Sequence, residues 1–195
     1  MKPYKVLDYS HLLGMAGFSD TLLQNHFTLY QGYVNNTNRV METLENLLKE
    51  GKQGTPEFAE LKRRLGWEWN GMRLHELYFE NLGGDGDPGQ APGVVKAIEA
   101  QKGSFEACAA DFQATATMRG IGWVVTYQDI AQGVIFNQWI NEHDVGHPAG
   151  LNPLLVLDVF EHAYMTDYGL KRADYVAAFF KNVKWKEVER RFVKK

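Results

Sequence analysis

Along the first third of the chain, apolar residues recur every three or four positions, the period of one face of an α-helix. Leu23, His26, Tyr30, Tyr33, Thr37, Met41, Leu44 and Leu48 form one such stripe. Ser19 ahead of it has N-cap chemistry and Gly51 behind it supplies a stop, so the pattern predicts one long helix. Thr55-Pro56 opens a second, with proline suited to the first helical position. Its inward residues are Phe58, Leu61 and Leu65 and then, after an interruption at Gly66, Trp69, Met72, His75, Phe79 and Leu82. Two long helices joined by a short glycine-containing turn predict an antiparallel hairpin.

After residue 82 the pattern changes. Gly83-Gly84-Asp85-Gly86-Asp87-Pro88-Gly89 propagates neither helix nor strand and reads as a linker. No glutamate stands at the twelfth position that an EF-hand calcium loop needs. Pro92 to Phe112 and a following stretch read as helices. Residues 121–127 and 133–140 read as an antiparallel pair of strands, 154–157 as a short buried strand, and Tyr175 to Phe192 as one closing amphipathic helix. The fold class is α+β. A long helical hairpin fills an N-terminal domain over residues 1–84, and helices flank a small antiparallel sheet in a C-terminal α/β domain over 85–195.

Composition narrows the function. With 195 residues, 45% of them hydrophobic, the chain can bury a substantial core. A net charge of −3 leaves no basic footprint, which argues against nucleic acid or an anionic membrane surface as partner. No apolar stretch is long enough for a membrane span, and the start, Met1-Lys2-Pro3-Tyr4-Lys5-Val6, lacks the apolar region of a signal peptide. A single cysteine, Cys108, forms no internal disulfide and suits the reducing cytoplasm, the expected location. Its helix-like neighbours make it a packed residue rather than a reactive thiol.

The histidines carry the chemistry. His26 lies on the first apolar stripe, His75 on the second, and Asp158 and His162 follow a buried strand, four residues apart. Three neutral imidazoles and one carboxylate suit a redox-active first-row metal such as iron or manganese. They fit neither the oxygen cages of calcium nor the thiolates of structural zinc.

The string Asp158-Val159-Phe160-Glu161-His162-Ala163-Tyr164, with Asp167-Tyr168 and Arg172-Ala173-Asp174-Tyr175-Val176 behind it, closely resembles the C-terminal signature of the iron/manganese superoxide dismutases. Phe160 replaces a tryptophan usual there. Gly103-Ser104-Phe105, Gly120-Ile121-Gly122-Trp123, Val183-Lys184-Trp185 and Tyr33-Val34-Asn35-Asn36-Thr37-Asn38 also match family landmarks in order, so the resemblance spans about residues 20 to 190. It implies disproportionation of superoxide at one iron per chain, manganese being the alternative, with His26, His75, Asp158 and His162 as metal ligands. Relatives place the first ligand eight residues before the conserved tyrosine, a position that falls on Asn25 here. Seven residues return an ordinary α-helix to nearly the same face, whereas eight need a one-residue π-bulge. Asparagine is a poor ligand for such a metal, so His26 is expected to take the place.

The same resemblance implies several supporting roles. Tyr33 and His143 become the candidates to tune solvent at the metal, because Gly71 stands where many iron enzymes carry a glutamine. Trp123 and Trp185 are expected to wall the site, and His11 and His147 to be surface residues. Glu161 is expected to hydrogen-bond to the ligand His162 of a second subunit in a homodimer or tetramer. Coupling each electron to a proton would keep the buried charge constant, avoiding a costly change in low dielectric. The histidine pair that relatives carry between His26 and Tyr33 is absent, and Met165 replaces a tyrosine, so the substrate funnel is altered. Two other readings stay open: another non-haem iron oxidoreductase, and a metal-binding pseudoenzyme that keeps only the fold.

Overall fold

The computed structural model describes residues 2–194. Helices α1 (Asp20–Lys49) and α2 (Pro56–Glu80) form the predicted hairpin. His26 meets Phe79, Tyr30 bonds to Glu76 and Tyr33 lies against Gly71, so the two run antiparallel. The Ser19 hydroxyl accepts from Leu22 N–H at 3.1 Å and the Thr55 hydroxyl from Phe58 N–H at 3.3 Å, each cap stabilising its helix by about 1 kcal/mol.

Four details of the hairpin differ from the sequence expectation. Helix α2 passes through Gly66 unbroken, since the roughly 1 kcal/mol cost of a helical glycine is small beside tertiary packing. Leu48 is 53% exposed, and Leu47 is buried instead. The C-terminal half packs on the opposite end of the hairpin, through α2 against the third strand, which leaves Phe58, Leu61 and Leu65 only half-buried here. Trp69 is also exposed, and its indole N–H donates to Tyr4 Oη.

Beyond the hairpin come α3 (Pro92–Lys102), α4 (Phe105–Ala116), β1 (Gly122–Asp129), β2 (Val134–Asn141), β3 (Asn152–Asp158), α5 (Met165–Tyr168), α6 (Arg172–Lys181) and α7 (Trp185–Arg191). The sheet is antiparallel with order β2-β1-β3, so β1 is central. Its residues Gly122–Gln128 are all buried, and the register sets Trp123 opposite both Ile140 and Asp158. That pairing brings a large ring beside the carboxylate at the end of β3.

The expected single closing helix is two helices, broken at residues 182–184. Those backbone groups pair with the glycine-rich segment after α2: Gly84 N–H donates to Asn182 O, Gly86 N–H to Val183 O, and Lys184 N–H to Asn81 O. A Cβ on Gly84 would meet Val183 O at 2.3 Å, so only glycine permits this approach. Arg191 then ties α7 to the end of the hairpin through Leu77 O, Glu80 and Asn81 Oδ1 and to β3 through Leu154 O, and pairs within α7 with Glu187. Removing one member of such a buried ionic cluster costs about 3–5 kcal/mol. Among the described residues, no helix is long and apolar enough to cross a membrane.

Candidate metal centre

Each member of the His26, His75, Asp158 and His162 set is delivered by a local feature. Helix α1 is an uninterrupted α-helix, so the seven-residue step from His26 to Tyr33 keeps both on the face toward α2, and Asn25 is exposed. His75 is fully buried on α2. Asp158 ends β3, where Phe160 N–H donates to its Oδ1 at 2.8 Å and Tyr175 Oη donates to its backbone carbonyl at 2.7 Å. The single turn Glu161–Ala163 then carries His162 back toward the same carboxylate.

The four donor atoms all lie within 4.8 Å of one another. Asp158 Oδ2 stands 3.1 Å from His26 Nε2, 3.1 Å from His162 Nε2 and 3.6 Å from His75 Nε2. Such spacing suits atoms about 2.0–2.2 Å from one centre. The Nδ1–H of His75 donates to Gly71 O at 2.6 Å, which makes Nε2 the nitrogen with the lone pair. That Nε2 is buried without a hydrogen-bond partner. A buried acceptor left bare costs about 1–3 kcal/mol, and a cation among the four donors removes that cost.

Electrostatics favour a neutral His26, a neutral His75 and an ionised Asp158. Burial lowers His26 and pushes His75 well below its ordinary value, overriding the attraction of Asp158. Burial alone would raise Asp158, but the attraction of His162 and His26 when protonated, with their hydrogen bonds, holds it well below the usual carboxylate range. Neutral imidazoles and an ionised carboxylate are what a divalent or trivalent metal requires.

Aromatic rings enclose the cluster. Trp123 packs edge-on to His75 with centroids 4.9 Å apart, and Tyr33 stacks on the same imidazole at 5.2 Å. His143 is fully buried, with Nδ1 accepting from Trp123 Nε1–H at 3.0 Å and Nε2 lying 2.7 Å from Tyr33 Oη. Because an indole only donates, neutral His143 carries its hydrogen on Nε2 and donates it to Tyr33. Burial lowers His143 to about 4, and raises Tyr33 to about 12 with help from the charges of Asp158 and Glu68. Thus Tyr33, Trp123 and His143 come together beside the four donors.

Other residues fall elsewhere. Trp185 does not wall the centre: it packs on Phe105 and donates to Gly86 O, because the segment after α2 draws α7 away from it. His11 is exposed as expected, and so is Glu161, next to a His162 side chain that is 30% exposed. His147 is half-buried rather than superficial, bonded to Tyr127 Oη and to the His143 carbonyl. Trp67 is a site residue that sequence reasoning missed, its ring 4.8 Å from that of His143. Its helical spacing from His75 is eight residues, a signal too common to have singled it out.

Comparison with known proteins agrees with this geometry. Residues 90–191 match the family described as iron/manganese superoxide dismutases, C-terminal domain. The chain is 37% identical to superoxide dismutase [Fe] of Aquifex aeolicus, over 100% of this chain and 94% of that protein. It is 38% identical to superoxide dismutase [Fe] of Saccharolobus solfataricus, covering 85% of this chain and 80% of the relative. Superoxide dismutase [Mn] 2 of Haloferax volcanii is 35% identical, with 88% and 84% covered. The chain belongs to the iron/manganese superoxide dismutase family.

Proposed function

We propose that the protein disproportionates superoxide into dioxygen and hydrogen peroxide, with one metal ion per chain held by His26, His75, Asp158 and His162. The observation that carries this reading is the bare Nε2 of His75, buried and facing three further donors. When bound, iron or manganese supplies one-electron chemistry by alternating between trivalent and divalent states. Iron is our assignment, because the relative that matches over the whole chain is named an iron enzyme; the Haloferax relative keeps manganese as the alternative.

The chain's own residues hold that ion and manage protons. Two superoxide anions and two protons give one dioxygen and one hydrogen peroxide, so every turnover consumes protons at a site closed by Trp123, Tyr33 and Phe160. In the chain Trp123 to His143 to Tyr33, each donor is committed to the next acceptor, which leaves the Tyr33 hydroxyl hydrogen to be donated outward. Tyr33 and His143 thereby set the hydrogen bonding available to solvent at the centre and tune the potential. Replacing His75 or Asp158 with alanine tests the assignment: both variants should fold, retain no iron or manganese, and consume no superoxide above background.

The protein acts as a homodimer in this reading, with Glu161 of one copy bonded to His162 of the other. The exposure of Glu161 beside a part-exposed ligand supports it. A single buried cysteine suits the reducing cytoplasm, where we place the protein.

A further inference from the structure

We propose that His147 is a positioning residue for this reaction, holding His143 against Tyr33 and Trp123 through its backbone carbonyl. The inference rests on the reading of His143 given above. His143 sits on a turn between β2 and β3 whose neighbours Asp144, Val145 and Gly146 are exposed. Just before it, Glu142 adopts φ +54°, the left-handed region that non-glycine residues rarely occupy. Strained backbone of this kind persists only where its surroundings fix it from several sides. The pairing of Asn141 with Val145 and the bond from Glu142 N–H to Ile121 O fix the base of the turn. Neither holds the His143 peptide itself.

His147 does so. Its Nε2 lies 2.8 Å from His143 O, and a carbonyl only accepts, so that nitrogen carries the hydrogen. In the neutral ring Nδ1 is then an acceptor, and it receives Tyr127 Oη–H at 2.8 Å. Tyr127 belongs to the buried central strand β1, as does Trp123. The sheet therefore grips His143 twice, at its ring through Trp123 and at its carbonyl through Tyr127 and His147. Losing the second grip frees the His143–Asp144 peptide to rotate and lets the imidazole leave Tyr33.

Four variants in the full-length protein test this: His147→Ala, His147→Gln, Tyr127→Phe and His143→Ala. The readouts are the Trp123 indole N–H resonance in metal-free protein and turnover per bound metal in loaded protein. His147→Ala should shift or broaden that resonance and lower turnover about three- to tenfold, below the 10- to 100-fold typical of groups bonded directly to a ligand. Metal content should not change. Glutamine offers an N–H near the Nε2 position, so His147→Gln should recover at least half of the lost turnover, which a merely packing role would not require. Tyr127→Phe should move both readouts the same way by less, and combining it with His147→Ala should add no further loss. A wild-type resonance and turnover in His147→Ala, beside a loss in His143→Ala, would overturn the inference. If His143→Ala itself turns over normally, the role of His143 fails, and the positioning claim is decided by the Trp123 resonance alone.

Discussion

Tyr33 lies so close against Gly71 that a Cβ on residue 71 would stand 2.5 Å from Tyr33 Cδ1. The absence of a side chain there is what lets the tyrosine ring cross the helix seam and reach His143. Gly71→Ala should push the ring aside. Overpacking costs about 1–3 kcal/mol, and the better helix propensity of alanine returns no more than about 1. Thermal unfolding should record a net loss of stability; a gain would mean that Tyr33 yields freely and that Gly71 does not set its place.

The metal-free protein should weaken in mild acid. His26, His75 and His143 all have folded pKa values below the ordinary 6.5, that of His143 at about 4. Between those values the unfolded chain binds protons that the folded chain does not, so stability falls as pH drops below 6.5. From pH 7 to pH 5, His143 alone contributes a loss on the order of 2 kcal/mol. Asp158 adds a further loss below about pH 4, because its lowered pKa makes its contribution vanish as the carboxylate protonates. Urea midpoints measured across this range check the sign, and a flat profile would contradict the neutral, buried imidazoles.

Much of this arrangement was legible in the chain. Ser19 and Thr55 announced both helices because capping is local chemistry, and the candidate ligands emerged because placement on buried stripes or beside a buried strand coincided with the resemblance carried by residues 158–164. What was not legible depends on distant groups. The break at Asn182–Lys184 is imposed by backbone pairing with residues 81–86, which no periodicity within the last helix could reveal. Trp185 was misplaced for the same reason. His147 looked superficial because its partners, Tyr127 and the His143 carbonyl, meet it only after the sheet has formed.

Replacing His143 should leave the four donors in place while altering the reaction. His143→Ala removes the acceptor for Trp123 and the donor to Tyr33, so the potential should shift and turnover fall with metal content intact. His143→Gln should keep more activity, since an amide can both accept from the indole and donate to the phenol. Potential, metal content and rate on the same preparations check this; equality of His143→Ala with wild type in all three would remove His143 from the mechanism.

Assembly is tested through Glu161. Glu161→Ala should weaken dimerisation and lower metal affinity by about 10- to 100-fold, the range for loss of a group that orients a ligand histidine. Sedimentation with metal titration reads both effects. An active wild-type monomer would show that the ligand His162 needs no partner.

Bound iron or manganese at His26, His75, Asp158 and His162 should make this chain consume superoxide. Stopped-flow superoxide decay, measured against iron and manganese content in one series of wild-type preparations, tests it most directly. The decay rate should rise in proportion to bound metal up to one ion per chain, and no such rise should occur in Asp158→Ala. Folded wild-type protein loaded with one iron or manganese per chain that leaves superoxide decay at the uncatalysed rate would contradict it.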